Sequence, residues 1–161
     1  MTKYFVCSDI HGAELRLESA LSAHPDIDTV IVCGDMEFEV YDIEEIIRRN
    51  TSRNMDIRMV RGNCDSWFSS ASRIPDQLII PLSSSSKALV LHGHLYHASI
   101  ELMAYAAKEQ GCNTVIFGHI HRQVDREQYG IRFLNPGAMK NRNYMTIETK
   151  EDGSLNVKMF E

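Results

Sequence analysis

Five times along this chain a short apolar, β-branched run stops abruptly at a loop of glycine with Asp, Asn or His. Lys3–Ser8 leads into Asp9-Ile10-His11-Gly12, and Thr29–Cys33 into Gly34-Asp35. Ile57–Val60 leads into Gly62-Asn63-Cys64-Asp65, Ala88–Leu91 into His92-Gly93-His94, and Thr114–Phe117 into Gly118-His119-Ile120-His121. Runs this short and this continuously apolar read as strands buried on both faces. A sheet built from them collects its polar loops at the carboxyl ends of the strands, where α/β proteins bind ligands.

Between the early runs lie helix-like segments. Glu14–Ala23 has Leu15, Leu17 and Leu21 among its apolar positions. Ile43–Asn50 follows the second run, and Ile100–Gln110 ends at Gly111, a residue suited to the left-handed position after a helix. The βαβαβ order over the first three runs predicts parallel strands joined by right-handed crossovers. Gln77–Pro81 reads as a further strand, joined to Ala88–Leu91 across Ser83–Ser86, a polar hairpin loop.

After residue 122 the pattern changes to four strands, Val124–Gln128, Ile131–Leu134, Tyr144–Glu148 and Leu155–Phe160. Gly130, Pro136-Gly137 and Asp152-Gly153 mark the tight turns. Asp-Gly is a hairpin signal, and Asn135-Pro136-Gly137 suits a type II turn. With no repeat or linker, residues 1–161 read as one domain.

Charge and cysteines exclude some functions. The net charge of -5 leaves no bulk positive field for a nucleic-acid backbone, so bound cations are the natural way to hold an anion. The first residues run straight into a polar motif, leaving no room for a signal peptide, and no apolar run approaches membrane-spanning length. Cys7, Cys33, Cys64 and Cys112 form no C-x-x-C pair and read as reduced, mostly buried thiols of a cytoplasmic protein.

Each polar motif alone is weak: Asp after a strand is often a helix cap, and Gly-Asp often a turn. Their joint order is specific. Five of the seven histidines, at 11, 92, 94, 119 and 121, fall in strand-end loops, leaving only His24 and His97 as structural or surface residues. In an extended segment residues i and i+2 share a side, so Asp9 and His11 converge on one ion. His119 and His121 do the same or divide between two adjacent ions. The nitrogen and oxygen donors fit Mn, Fe, Ni, Co or Zn better than a thiolate-bound structural zinc.

The order D-x-H, G-D, G-N-C-D, H-G-H, G-H-x-H resembles the calcineurin-like metallophosphoesterases. The small size and Cys64 resemble their compact bacterial and archaeal phosphodiesterase branch. The resemblance implies an α/β sandwich of two mixed sheets face to face with helices outside, the hairpin-rich C-terminus completing the second sheet. It implies two divalent ions, manganese first, with nickel, iron, cobalt, zinc or magnesium as alternatives. Asp9, His11, Asp35 and His121 would hold one ion; Asp35 would bridge to a second held by Asn63, His92 and His119. A water or hydroxide between the ions would attack a small phosphate ester, a diester rather than a monoester. The resemblance also implies that self-association is common.

Asn63, Asp65 and His94 are the catalytic candidates around these ligands. Cys64 stands where many relatives carry a histidine that protonates the leaving group, with the acidic residue beside it orienting that ring. A thiol is a poor donor, which predicts a slow enzyme suited to acidic leaving groups. Asp65 is alternatively a helix N-cap before Ser66–Ala71. His94 reads as a contact to phosphate or to a ligand's second nitrogen rather than as a ligand. Met36–Tyr41, with Glu37 and Glu39, reads as a solvated loop, and Arg61 as a residue able to face an anion. The rival readings are a small nuclease, disfavoured by charge and size, and a non-catalytic scaffold like one eukaryotic trafficking subunit of this fold. A metallo-β-lactamase-type centre is set aside because its H-x-H-x-D-H cluster is missing.

Overall fold

Alternation along each buried strand divides its side chains between two cores. In β1 (Lys3–Cys7), Phe5 and Cys7 belong to one apolar cluster, and Tyr4 and Val6 to another. The same division holds in β2 (Thr29–Val32), where Val30 and Val32 face away from Ile31. The period of two therefore demands cover on both faces. The computed structural model, which describes residues 1–161, supplies that cover with a second sheet on one side and helices on the other.

The first face is closed by α1 (Glu14–Ser22) and α2 (Val40–Asn50). Leu17 and Leu21 of α1 and Ile43, Ile46 and Ile47 of α2 join Phe5, Val30 and Val32 in one cluster. Each such side chain, once buried, stabilises the fold by roughly 1.5–3 kcal/mol. With β3 (Asp56–Met59) these elements form the predicted βαβαβ unit, β2 parallel to both β1 and β3.

The second sheet contains β4 (Gln77–Pro81), β5 (Lys87–Leu91), β6 (Thr114–Ile116), β7 (Gln123–Gln128) and β8 (Ile131–Pro136), in the order β4-β5-β6-β8-β7. β5, β6 and β8 run parallel, and antiparallel strands form both edges. Ala88, Val90, Ile116 and Leu134 meet Tyr4, Val6 and Ile31 between the sheets. Leu89, Leu91, Val115, Phe117 and Phe133 pack outward on α3 (Ile100–Glu109), through Met103, Ala104 and Ala107. The result is the expected sandwich of two mixed sheets with helices outside.

One expectation is corrected. The C-terminal strands do not all complete the second sheet. β9 (Tyr144–Thr149) pairs antiparallel with β1, and β10 (Leu155–Phe160) with β9, so the first sheet is ordered β10-β9-β1-β2-β3. The physical reason is the free edge of β1, whose backbone groups lie deep in the apolar interior and need ladder partners. Met145 and Ile147 of β9 then fall into the core between the sheets.

The turns follow their residues. Tyr129 and Gly130, both at positive φ, make a two-residue turn between paired Gln128 and Ile131. Gly137 has the φ of +80 that a type II turn requires, but the Asn135 side chain, rather than a closing backbone bond, accepts from Gly137 N–H at 2.9 Å. Ser83 and Ser85 donate to the Gly153 carbonyl, tying the polar hairpin loop to the β9–β10 turn.

Candidate metal centre

The carboxyl ends of β1, β2 and β3 and of β5 and β6 meet at one end of the sandwich, and backbone bonds lace their loops together. Asp9 N–H donates to the Gly34 carbonyl and His11 N–H to that of Asp35, each at 3.0 Å; Gly118 N–H donates to the His92 carbonyl at 3.0 Å. Close approach demands glycine here. A Cβ on Gly62 would overlap the Asp35 carboxylate and lie 2.5 Å from its backbone nitrogen, and one on Gly118 would overlap the Ser8 hydroxyl.

Two groups of three side chains without sulfur converge in this end, Asp9, His11 and His121, and Asp35, His92 and His119; a third, His11, Asp35 and Cys64, overlaps both. The first is tied through Asp9 Oδ1, 3.0 Å from His121 Nε2 and 3.5 Å from His11 Nε2. The second is tied through Asp35 Oδ2, 3.2 Å from His92 Nε2. The same Oδ2 lies 3.8 Å from His11 Nε2, so one aspartate oxygen faces both groups. Donors sharing an ion at about 2.0–2.2 Å stand roughly 3–3.5 Å apart, close to these spacings.

The residues present fit a metal. His11 Nε2 and His92 Nε2 are buried yet have no hydrogen-bond partner, which native interiors seldom tolerate. Their opposite nitrogens are engaged, His92 Nδ1 with the Cys33 carbonyl at 2.6 Å and His11 Nδ1 with Glu37 at 3.1 Å. A carbonyl accepts only from N–H, so the neutral His92 ring carries its proton on Nδ1 and offers the Nε2 lone pair. Asp9 is held likewise, its Oδ2 accepting from the Ser8 hydroxyl at 2.6 Å and from His119 N–H at 2.9 Å while Oδ1 faces the histidines.

Charge is tuned in opposite directions. Burial alone would raise the Asp35 pKa, but the His92 ring, Cys64 N–H and His11 outweigh it and hold the carboxyl at about 2. Burial opposes charge on His92 too, yet Asp35 and Asp9 raise its pKa above the usual histidine value. Burial lowers His94 and His119, and their histidine neighbours add to it. Burial, with the carboxylates of Asp35, Glu37 and Asp65, pushes the Cys64 thiol up to about 11.

The backbone reaches this convergence in an unexpected way. Asp9, His11, Asp35, Glu37, His119 and His121 all have φ between +46 and +70. The D-x-H and H-x-H segments are thus left-handed at their donor residues, and extended alternation is not what aligns them. Asp and His tolerate this region better than most residues, but strained conformations cost about 1–3 kcal/mol each.

Asp65 offsets that cost in the second loop. Only 1% exposed, its carboxylate accepts from Asp35 N–H and Gly62 N–H at 2.8 Å, Met36 N–H at 2.9 Å and Glu37 N–H at 3.2 Å. It does not cap the following turn, which starts from Cys64 without a side-chain bond. Its carboxylate faces the backbone of the Asp35 loop.

The expectations for Met36–Tyr41 and Arg61 are corrected as well. Met36–Tyr41 is not a solvated loop: Met36 is fully buried, Glu37 meets His11, and Glu39 accepts from Ser69 and Ser70 N–H at 3.1 and 3.0 Å. Those contacts, with Ser70 Oγ accepting from Val40 N–H, start α2 at Val40, three residues before the predicted Ile43. Arg61 faces Asp76, at 2.8 Å, rather than an open anion site. Asn63 is exposed, its amide donating to Cys64 Sγ at 3.5 Å. His94 lies beside the second group, ring centroids 5.4 Å from His92 and 6.4 Å from His119, its buried Nδ1 unpartnered. His24 is structural, bonded to the Tyr144 hydroxyl and packed edge-on against Phe160. Ser8 carried no signal in the sequence, because only the approach of the Gly34 and Gly118 loops gives its hydroxyl a task.

Residues 3–152 match the model of the calcineurin-like phosphoesterase superfamily domain. The chain belongs to that superfamily. This phosphoesterase domain is 32% identical over 138 residues to the probable metallophosphoesterase YsnB of Bacillus subtilis, covering 84% of this chain and 73% of that protein. An archaeal phosphodiesterase superposes with a TM-score of 0.72 at 23% identity, over 99% of this chain and 100% of that one. Vps29 of Chaetomium thermophilum gives 0.74 at 16% identity, over 99% and 94%. Zinc-complexed Vps29 of Entamoeba histolytica gives 0.68 at 21%, over 99% and 98%. At these identities the structures establish the fold alone. Membership makes the chain a metal-binding hydrolase of phosphoesters in general terms, and no helix is long and apolar enough to cross a membrane.

Proposed function

We propose that residues 1–161 form a single-domain, dinuclear phosphodiesterase acting on a small phosphate ester. The observation that carries this reading is Asp35 Oδ2, which faces both histidine groups while His11 Nε2 and His92 Nε2 stand buried without partners. Asp9, His11, Asp35 and His121 would hold one ion, and Asp35, Asn63, His92 and His119 the other. Asn63 reaches that role by turning its exposed amide inward from Cys64. Manganese suits the nitrogen and oxygen donors. Bound divalent ions supply an activated water and neutralise phosphate oxygens.

The chain's own residues do the positioning. Asp35 has Oδ1 engaged by Cys64 N–H at 2.8 Å, which fixes the direction of its Oδ2. Ser8 and His119 N–H hold Asp9 in place, and Glu37 holds the His11 ring. His94, 5.4 Å from His92 between ring centroids and with its pKa lowered by burial, would contact the substrate phosphate. Cys64, a very weak acid in these surroundings, assists leaving-group departure poorly, which restricts efficient substrates to acidic leaving groups. Four free thiols fit a reducing, cytoplasmic compartment.

The test crosses chelator-stripped protein, reloaded with Mn, Ni, Co, Zn or Mg, with nitrophenyl diester, nitrophenyl monoester and oligonucleotide substrates. Manganese-dependent hydrolysis of the diester, with two ions bound per chain and at least about a hundredfold loss in Asp35→Asn, is expected. Unchanged hydrolysis in Asp35→Asn refutes the assigned centre. Failure to hold divalent metal at micromolar concentration favours the scaffold, and cleavage of oligonucleotide alone favours the nuclease.

A further inference from the structure

A thiol stands within reach of two of the metal-facing side chains. Donor atoms of His11, Asp35 and Cys64, from the loops after β1, β2 and β3, all lie within 4.8 Å of one another. His11 Nε2 and Asp35 Oδ2 are 3.8 Å apart, near the spacing of neighbouring donors on one ion. Cys64 N–H donates to Asp35 Oδ1 at 2.8 Å, which holds the carboxylate against the Cys64 backbone. From the opposite side His92, its side chain fully buried and its Nε2 unpartnered, aims at the same Asp35 Oδ2.

Thiolate changes the selectivity of such a set. Oxygen and imidazole donors accept manganese or magnesium, whereas a sulfur donor favours zinc or cadmium. We propose that His11, Asp35 and Cys64 form a soft-metal site that closes the hydrolytic centre when zinc or cadmium enters, by withdrawing His11 and Asp35 from it. The inference rests on reading this centre as hydrolytic. Binding forms one sulfur–metal bond and releases the Cys64 proton to solvent; nothing is oxidised or reduced. Because His11 and Asp35 belong to both arrangements, the two states exclude each other.

Cadmium chloride is the probe, titrated into chelator-stripped wild type and Cys64→Ser. The readout is the ultraviolet charge-transfer absorption of a cadmium thiolate, with bound cadmium measured by equilibrium dialysis. Wild type is expected to develop the band of a single thiolate. Cys64→Ser is expected to lack it and to bind cadmium at least about tenfold more weakly, the low end of what losing even a supporting partner of a ligand costs. Cadmium bound without the band, or the same band in Cys64→Ser, overturns the proposal. In manganese-loaded wild type, diester hydrolysis should fall in step with the band; full hydrolysis at full band overturns the closure. Manganese-dependent hydrolysis without any cadmium band leaves the hydrolytic reading standing and this one refuted. A Cys64 band in a protein without manganese-dependent hydrolysis separates the two the other way.

Discussion

Replacing Asp65 with asparagine tests whether a buried carboxylate holds the Asp35 loop in its left-handed form. In the native protein Oδ2 accepts from Gly62 and Asp35 N–H, and Oδ1 from Met36 and Glu37 N–H, at 2.8–3.2 Å. Asparagine has nearly the same shape and leaves no cavity, but it keeps one accepting oxygen. Whichever way the amide turns, two backbone N–H groups face an NH₂ instead of an acceptor. Hydrogen bonds to a charged acceptor contribute about 1.5–3 kcal/mol each, so losing two removes about 3–6 kcal/mol. Burying a neutral amide in place of a carboxylate returns part of this, leaving a net destabilisation of about 2–4 kcal/mol. With a urea m-value of about 2 kcal/mol/M for a chain this size, the midpoint should fall by about 1–2 M. Asp35 and Glu37, at φ +53 and +59, should relax as the clamp weakens, and metal affinity should fall about 10–100-fold. Circular dichroism follows global unfolding, and the fluorescence of Trp67, the only tryptophan, reports the turn that begins at Asp65. A stability change within about 0.5 kcal/mol, the range of ordinary surface substitutions, together with unchanged metal affinity, would refute the clamp.

Gly62→Ala places a methyl group against the Asp35 carboxylate and 2.5 Å from its backbone nitrogen, so it should cost at least about 1–3 kcal/mol and weaken metal binding; normal calorimetric affinity would count against the crowding argument. The raised His92 pKa means that the metal-free ring keeps its proton above the usual histidine value, a stabilisation present below that value and lost as pH rises through the folded pKa. Metal affinity should therefore rise with pH through that window, with proton release visible as a buffer-dependent binding enthalpy; an enthalpy independent of buffer near pH 7 rejects it. Burial lowers the His24 pKa, so the native state loses stability as pH falls from about 6.5 towards the lowered value; His24→Gln should flatten that slope in urea titrations. Cys64→His should raise turnover about 10²-fold or more on esters with poor leaving groups, because an imidazole donates a proton where a thiol at about 11 does not; no gain on any alkyl ester in a metal-replete variant removes the leaving-group argument.

The strands were legible because burial on both faces leaves a continuous apolar run, as in Val30–Val32 of β2 and Ala88–Leu91 of β5. The helices were legible from apolar spacing, except the first turn of α2, whose start depends on Ser69 and Ser70 some 30 residues away. The chain order of Asp9, His11, Asp35, His92, His119 and His121 was enough to mark them as candidate ligands, because donor chemistry is a property of residue type.

Three features were decided only by tertiary structure. The pairing of β9 with β1 depends on which edge is free once the βαβαβ unit has formed, and hydrophobic pattern is silent on that. The left-handed backbone at the donor residues depends on loops that brace one another, Gly34 against Gly62 and Ser8 against Gly118. The task of Asp65 depends on four N–H groups arriving from residues 35–37 and 62. A sequence determines which donors a site has, since each side chain carries its own chemistry. Their direction belongs to the folded loops, since φ and hydrogen-bond partners are set by chain segments that meet only in space.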